Sequence, residues 1–121
     1  MYSAAFIFEP GDYDDEFHRL NALIDAVALA NPGYLGRESW QAVDGTRRNV
    51  TYYWRDLESL QAFAGDPAHL EAKRQYARWY RGYQIVVAQV QRSYGDGSLA
   101  HLLARREGGA STGQMPAPSA D

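Results

Sequence analysis

The chain has 121 residues, of which 45% are hydrophobic and 22% are charged, a composition typical of one globular domain with its own core. Its formal net charge of -3 gives no electrostatic reason to expect nucleic acid or an anionic membrane as a partner. The chain contains no cysteine, which excludes disulfides, thiolate nucleophiles and cysteine-based metal sites. No signal peptide or membrane span is visible, so we expect a cytoplasmic protein.

The N-terminal third predicts a strand followed by a helix. Residues 2–8 are apolar on both alternating faces, which indicates a strand covered on both sides. Gly11 and Asp12 predict a break and a helix N-cap. The helix that follows has an apolar stripe at spacings of three and four residues, and it should end at the Asn-Pro-Gly of residues 31–33.

The next segment predicts a hairpin. Residues 34–43 have strand character, and Asp44-Gly45 is the strongest short turn signal in the chain. Residues 49–54 would form the returning strand.

Two helical pieces and a last strand complete the pattern. Asp56 should cap a short helix, and Asp66 with Pro67 should start a second one that continues to about Tyr80. Residues 83–94 then predict a strand whose apolar residues do not alternate, so both of its faces need cover.

The order strand, helix, strand, strand, helix, strand predicts an α+β fold of the ferredoxin-like βαββαβ type with a four-stranded antiparallel sheet. Two helices cover only one face of such a sheet, whereas the first and last strands are apolar on both faces. We therefore expect a homodimer that buries the other sheet face.

The predicted domain covers residues 1–95, and residues 96–121 form a C-terminal extension. Ser98 could cap a short helix that continues to Arg106. Beyond Gly108 the composition of Gly, Ala, Ser and Pro predicts a flexible tail.

The region 50–94 combines many aromatic residues with one histidine, which suggests an apolar pocket for a planar organic molecule, although rings at helical spacing are more often part of a plain core. His69 falls in the first turn of the second helical piece, where the helix dipole disfavours imidazolium and so favours a neutral ring that can accept a proton. A simple hydrogen-bonding role for His69 is the stronger interpretation on sequence alone.

Other chemistry has little support in the sequence. The three histidines lack metal-binding spacing, and no glycine-rich run or nucleophile elbow is present, so we expect no metal, nucleotide or hydrolase site. Lys73, Arg74, Arg78 and Arg81 form a positive face, for which solvation is favoured over binding of an anionic ligand group.

Four segments together resemble the antibiotic biosynthesis monooxygenase (ABM) superfamily: residues 31–39 (NPGYLGRES), 51–54 (TYYW), 66–72 (DPAHLEA) and 78–80 (RWY). The resemblance covers about residues 2–94. It implies a dimeric α+β barrel, which agrees with the dimer inferred from the two-sided strands.

The resemblance also implies two kinds of chemistry, because the superfamily includes cofactor-independent monooxygenases that oxidise aromatic polyketides and enzymes that degrade haem. Ser59 and Phe63 hold the places of a site Asn and Trp in catalytic members. Lys73 holds the place of the haem-ligating histidine, which speaks against haem. His69 falls near a site tyrosine of a polyketide-oxidising relative.

These observations lead to the hypothesis of a cofactor-independent monooxygenase that oxidises a small aromatic substrate with O2 and needs no metal. His69 would be the base. Two alternatives remain: a non-catalytic dimer that binds a small aromatic metabolite, and a plain structural dimer with no cavity between helices and sheet. The predicted substrate-binding residues are Tyr34, Tyr52, Trp54, Trp79, Tyr80 and Tyr83, of which Tyr34 or Tyr83 would donate a hydrogen bond to the substrate.

Overall fold

The computed structural model describes residues 1–104, and its strands and helices follow the predicted order. Together with an entirely antiparallel sheet, this order confirms the ferredoxin-like α+β fold. Within the described residues, no helix is long and apolar enough to cross a membrane. The elements are β1 (Tyr2–Pro10), α1 (Asp15–Ala30), β2 (Tyr34–Gln41), β3 (Arg48–Trp54), α2 (Leu57–Ala64), α3 (Pro67–Arg74), a 3-10 turn (Tyr76–Arg78) and β4 (Tyr80–Gln89).

The four strands lie in the order β2-β3-β1-β4. In the centre, Phe6 of β1 lies opposite Val50 of β3 on one side and Ile85 of β4 on the other. Because side chains alternate along a strand, this register places Phe6 and Ile85 on the same sheet face. That face also carries Trp54, which packs against α1 and α2. The three helices therefore cover one face of the sheet.

The predicted hairpin between β2 and β3 is confirmed. Gly45 adopts a positive φ of 78°, a conformation that glycine reaches without strain. The Asp44 carboxylate accepts a hydrogen bond from the Thr46 backbone N–H at 3.0 Å. These local contacts fix the turn that the sequence signals.

The start of α1 differs from the prediction. Asp14, not Asp12, is the N-cap, and its carboxylate accepts a hydrogen bond from the Phe17 backbone N–H at 2.9 Å. The same carboxylate accepts a hydrogen bond from the Trp79 indole at 2.9 Å. The hydrogen bond from Trp79, a residue distant in sequence, therefore favours Asp14 over Asp12 as the N-cap. The end of α1 at Asn31 is as predicted.

The starts of α2 and α3 follow the sequence signals. The Asp56 carboxylate accepts a hydrogen bond from the Ser59 N–H at 2.8 Å, and the Asp66 carboxylate accepts one from the Ala68 N–H at 2.9 Å. Pro67 occupies the first helical position, where its missing N–H costs nothing.

The end of α3 and the bounds of β4 were predicted wrongly. The helix stops at Arg74, and β4 already begins at Tyr80 and ends before the predicted strand 83–94 does. The Gly11 N–H donates a hydrogen bond to the Trp79 carbonyl at 2.7 Å, and a Cβ at Gly11 would lie 2.8 Å from that oxygen. Pairing with the end of β1 therefore draws this segment into the sheet instead of a longer helix.

The predicted C-terminal helix is not formed over residues 98–104. This segment lies on the sheet face opposite the helices, where Leu102 is buried and packs over Gly36. His101 Nε2 lies 3.0 Å from a carboxylate oxygen of Glu38. These contacts hold the segment in a turn, and the rest of the predicted helix and tail lies outside the described residues.

Candidate active site

A cavity of about 200 Å³ lies between the helices and the sheet. Its floor includes Phe6 and Ile85, and its lining is mainly apolar and aromatic. Small side chains keep the space open, among them Ala4 on β1, Ala64 on α2 and Ala72 on α3. An apolar cavity of roughly 150 Å³ accommodates benzene. The space therefore suits a small substituted aromatic ring.

His69 lines this cavity from the first turn of α3. Its imidazole makes an edge contact with the Phe63 ring, with centroids 4.9 Å apart. Burial lowers the pKa of His69 below its ordinary value, and the positive charge of Lys73 lowers it further. The Asp66 carboxylate and the Ala64 backbone act in the opposite direction without reversing the shift. The ring is therefore neutral at pH 7 and able to accept a proton.

One polar atom of His69 lacks a hydrogen-bond partner in the described part of the chain. Nδ1 is buried and forms no hydrogen bond within residues 1–104. No carboxylate is hydrogen-bonded to the ring in that part of the chain, so the site lacks the orienting group of a typical catalytic triad. The imidazole is thus held by its contact with Phe63 and by the Ala64 backbone.

Trp54 lies at the inner side of the cavity. It is 0% exposed, and its indole packs against Phe63 in a tilted arrangement with ring centroids 4.9 Å apart. Its Nε1 has no hydrogen-bond partner among the described residues. Because a buried N–H without a partner is costly, a ligand oxygen that reached this donor would form a hydrogen bond that the free protein lacks.

Tyr52 forms part of the cavity wall, and a hydrogen bond from Arg37 holds its hydroxyl group in place. Its hydroxyl oxygen lies 3.2 Å from Arg37 Nη1, which donates the hydrogen bond. Arg37 is itself buried and forms an ion pair with Asp25 at 2.8 Å. Burial raises the pKa of the Tyr52 phenol, so it remains protonated. Arg37 was not identified as a site residue from the sequence.

Tyr80 and Tyr83 line the cavity on the β4 side. The Tyr80 ring meets Phe6 edge-on at 5.2 Å, and the Tyr83 ring meets Tyr76 edge-on at 5.1 Å. Ile85, on the same strand, is partly exposed. The cavity therefore opens toward the β4 edge, past these rings.

Two of the predicted substrate-binding residues lie outside the cavity lining. Tyr34 packs against Trp54 at 5.1 Å within the core, and burial raises its pKa to about 12. Trp79 is buried against Phe17 and Leu20 of α1. Both rings stabilise the fold around the site and do not face its interior.

Three lining residues that could contact a ligand were not predicted as site residues. Asn21 faces the cavity from α1, Lys73 from α3 and Tyr76 from the 3-10 turn. Asn21 had a readable signal, because it lies four residues after Phe17 and three before Ile24 and so falls on the buried stripe of the helix. Within residues 1–104, no cluster of three or more His, Cys, Asp or Glu side chains could hold a metal ion.

Comparison with known proteins adds a family and several fold relatives. Residues 12–88 match the family described as Monooxygenase af470-like. The uncharacterized protein YqjZ of Bacillus subtilis (strain 168) is 27% identical over 92 residues, which cover 75% of this chain and 80% of that protein.

Solved structures share the fold at low sequence identity. Rv0793 from Mycobacterium tuberculosis gives a TM-score of 0.57 at 21% identity, covering 76% of this chain and 96% of the other. SnoaB from Streptomyces nogalater, a cofactor-independent oxygenase, gives a TM-score of 0.60 at 13% identity, with 76% and 94% covered. A protein from Nitrosomonas europaea proposed to be an antibiotic biosynthesis monooxygenase gives 0.58 at 16% identity, with 76% and 100% covered.

Proposed function

Because the chain belongs to the af470-like monooxygenase family, within the antibiotic biosynthesis monooxygenase superfamily, we propose that it is a cofactor-independent monooxygenase acting on a small aromatic substrate. The observation that carries this proposal is a neutral, largely buried histidine in the wall of an aromatic cavity. Burial lowers the pKa of His69, which keeps its ring neutral. The same ring lines the space that a substrate would fill.

The reaction needs only a base, an apolar space and hydrogen-bond donors. An electron-rich phenol with hydrogen at its para position is oxidised to a para-quinone: the substrate supplies four electrons, one oxygen atom of O2 enters the ring, and the other leaves as water. His69 takes the phenolic proton to form a phenolate, which donates an electron to O2 before the two recombine. The resulting peroxide loses water, and the proton held by His69 is returned in that step.

The surrounding side chains have separate tasks in this proposal. The Trp54 indole N–H, which lacks a partner in residues 1–104, donates to the phenolate oxygen and stabilises its charge. Tyr52 and Tyr80 form flat walls that position the ring. Tyr83 stands on the β4 side, where the cavity opens, and can donate a hydrogen bond to a second substrate oxygen.

The test is oxygen consumption with 1-naphthol and with anthrone as substrates. His69→Ala should lower the rate by about 10²- to 10⁴-fold, the usual contribution of a general base. His18→Ala is the matched control, because His18 is exposed on α1 and does not line the cavity. Circular dichroism establishes that both variants are folded. An unchanged rate in His69→Ala would eliminate this mechanism.

A second candidate, a non-catalytic carrier of a small aromatic molecule, is favoured by one observation. His69 has no hydrogen-bonded carboxylate to orient it within the described residues, whereas many catalytic histidines have one. A carrier would quench or shift the fluorescence of Trp54 on binding an aromatic ligand while consuming no oxygen. Measuring fluorescence and oxygen in the same sample separates the two functions.

We also propose that the chain forms a homodimer through the sheet face opposite the helices. On that face Ala5 of β1 lies opposite Val86 of β4, and Val86 is 47% exposed. Leu102 already covers the β2 side, so the open apolar area is on the β1 and β4 side. A second copy is the simplest cover for it.

Light scattering tests this assembly. Val86→Lys should convert a dimer into a monomer, because it would bury a charge in the interface. Val43→Lys, at a fully exposed position in the hairpin, should leave the assembly unchanged. A monomeric wild type, or a Val86→Lys variant that still dimerises, would contradict the proposal.

A further inference from the structure

Lys73 is the only charged side chain among the residues that line the cavity in the described part of the chain, apart from the titratable His69. It lies on α3 one helical turn after His69, so the two side chains share a helix face. Its charge reaches the imidazole, since it lowers the pKa of His69. Lys73 is itself exposed, so the cavity combines an apolar interior with one cation on its solvent-facing side.

Neighbouring cations on the same surface are neutralised, whereas Lys73 is not. Arg74 pairs with Glu71 at 2.5 Å, and Arg78 pairs with Asp14 at 2.6 Å. Lys73 forms no ion pair within residues 1–104.

The acidic groups around the cavity are engaged elsewhere. Asp25 pairs with Arg37, and Asp66 accepts the N–H that caps α3. No Asp or Glu lines the cavity among the described residues. A ligand with a negative group would therefore meet an unneutralised cation and no opposing carboxylate.

We propose that the ligand of this cavity is an aromatic acid whose carboxylate pairs with Lys73 on the solvent-facing side while its ring lies between the aromatic walls. This inference rests on the cavity of the proposed function and specifies its substrate class. A solvent-exposed ion pair contributes little, whereas a charged hydrogen bond beside apolar rings contributes more. We expect the carboxylate to improve affinity by about 3- to 10-fold over a neutral amide of the same shape.

The experiment compares 1-hydroxy-2-naphthoate with 1-hydroxy-2-naphthamide, which differ in that charge and both have hydrogen para to the hydroxyl, as the proposed reaction requires. Calorimetry under nitrogen measures binding without turnover. The wild type should bind 1-hydroxy-2-naphthoate about 3- to 10-fold more tightly, and added salt should reduce the preference because it screens the pair. Lys73→Met should remove the preference and Lys73→Arg should retain it.

Arg74→Met is the matched control, since it removes a neighbouring cation that does not line the cavity, and it should keep the preference. Equal affinities in the wild type, a preference that survives in Lys73→Met, or no binding of either compound would overturn the inference. Oxygen consumption is measured separately in air with the same two compounds. Lys73-dependent binding without oxygen consumption would reject the oxygenase function and leave this inference standing. Oxygen consumption with equal affinities for the two compounds would support the oxygenase function and overturn this inference.

Discussion

The two buried tryptophans provide a sharp test of the candidate site, because they differ mainly in their hydrogen bonding. Trp54 and Trp79 are 0% and 1% exposed. The Trp79 indole donates to Asp14 at 2.9 Å, whereas the Trp54 indole has no partner within residues 1–104. Replacing each with Phe removes the same atoms, so the transfer and cavity contributions to the free energy of unfolding are similar.

The difference between the two variants then reports on the indole N–H groups. Trp54→Phe removes a buried donor whose lack of a partner costs about 1–3 kcal/mol, which offsets part of the packing loss. Trp79→Phe has no such offset and also loses a hydrogen bond. We expect Trp79→Phe to be more destabilising by at least about 1 kcal/mol, or about 4–8 °C in Tm for a domain of this size.

Urea unfolding followed by circular dichroism measures this difference, and equal m-values establish that both variants unfold from comparable states. If Trp54→Phe were as destabilising as Trp79→Phe, the Trp54 donor would have a partner in the free protein, such as a bound water. The hydrogen bond to a ligand oxygen would then lose its energetic basis.

Three further predictions concern charge. Asp25→Asn should destabilise the fold by about 3 kcal/mol in a urea titration, because it leaves the buried Arg37 cation without its carboxylate. Glu16→Gln is the control and should have little effect in the same titration. It breaks the exposed ion pair with Arg19, whose length equals that of the Arg37–Asp25 pair. Lys73→Met should raise the pKa of His69 in an NMR titration, since the lysine charge lowers it, and an unchanged value would place the two groups too far apart to interact. The depressed pKa of His69 means that the unfolded chain binds more protons as pH falls through about 6.5, so stability should decrease there, and His69→Gln should lose less stability than the wild type over that range.

The sequence predicted those elements that local signals determine. Asp56 and Asp66 begin α2 and α3 as expected, because a cap forms within its own helical turn. The boundary between α3 and β4 was predicted wrongly, because it depends on β1: the Gly11 N–H binds the Trp79 carbonyl. No pattern within residues 67–94 contains that information.

The same error accounts for part of the predicted site. A helix continued to residue 80 would place Trp79 one turn from Tyr76 on the cavity side. Because α3 ends at Arg74, Trp79 instead packs on α1. Tyr52, Trp54 and Tyr83 line the cavity, because simple alternation places them on the same sheet face as Phe6. Tyr80 lies three residues before Tyr83 and reaches that face only through the register shift between Glu9 and Pro10. The contact of these rings with a substrate stays a prediction.

The cavity itself bears on the third interpretation of the sequence, a structural dimer with a filled core. Such a protein would bring its rings into contact between helices and sheet. Instead, alanines at positions 4, 64 and 72 face the same space from a strand and two helices, and the nearby rings form its walls. Packing alone gives no reason to leave an apolar space of about 200 Å³, because each buried void forfeits dispersion contacts. The proposed ligand would restore those contacts, and it would account for the neutral histidine and the unneutralised lysine beside the cavity as well.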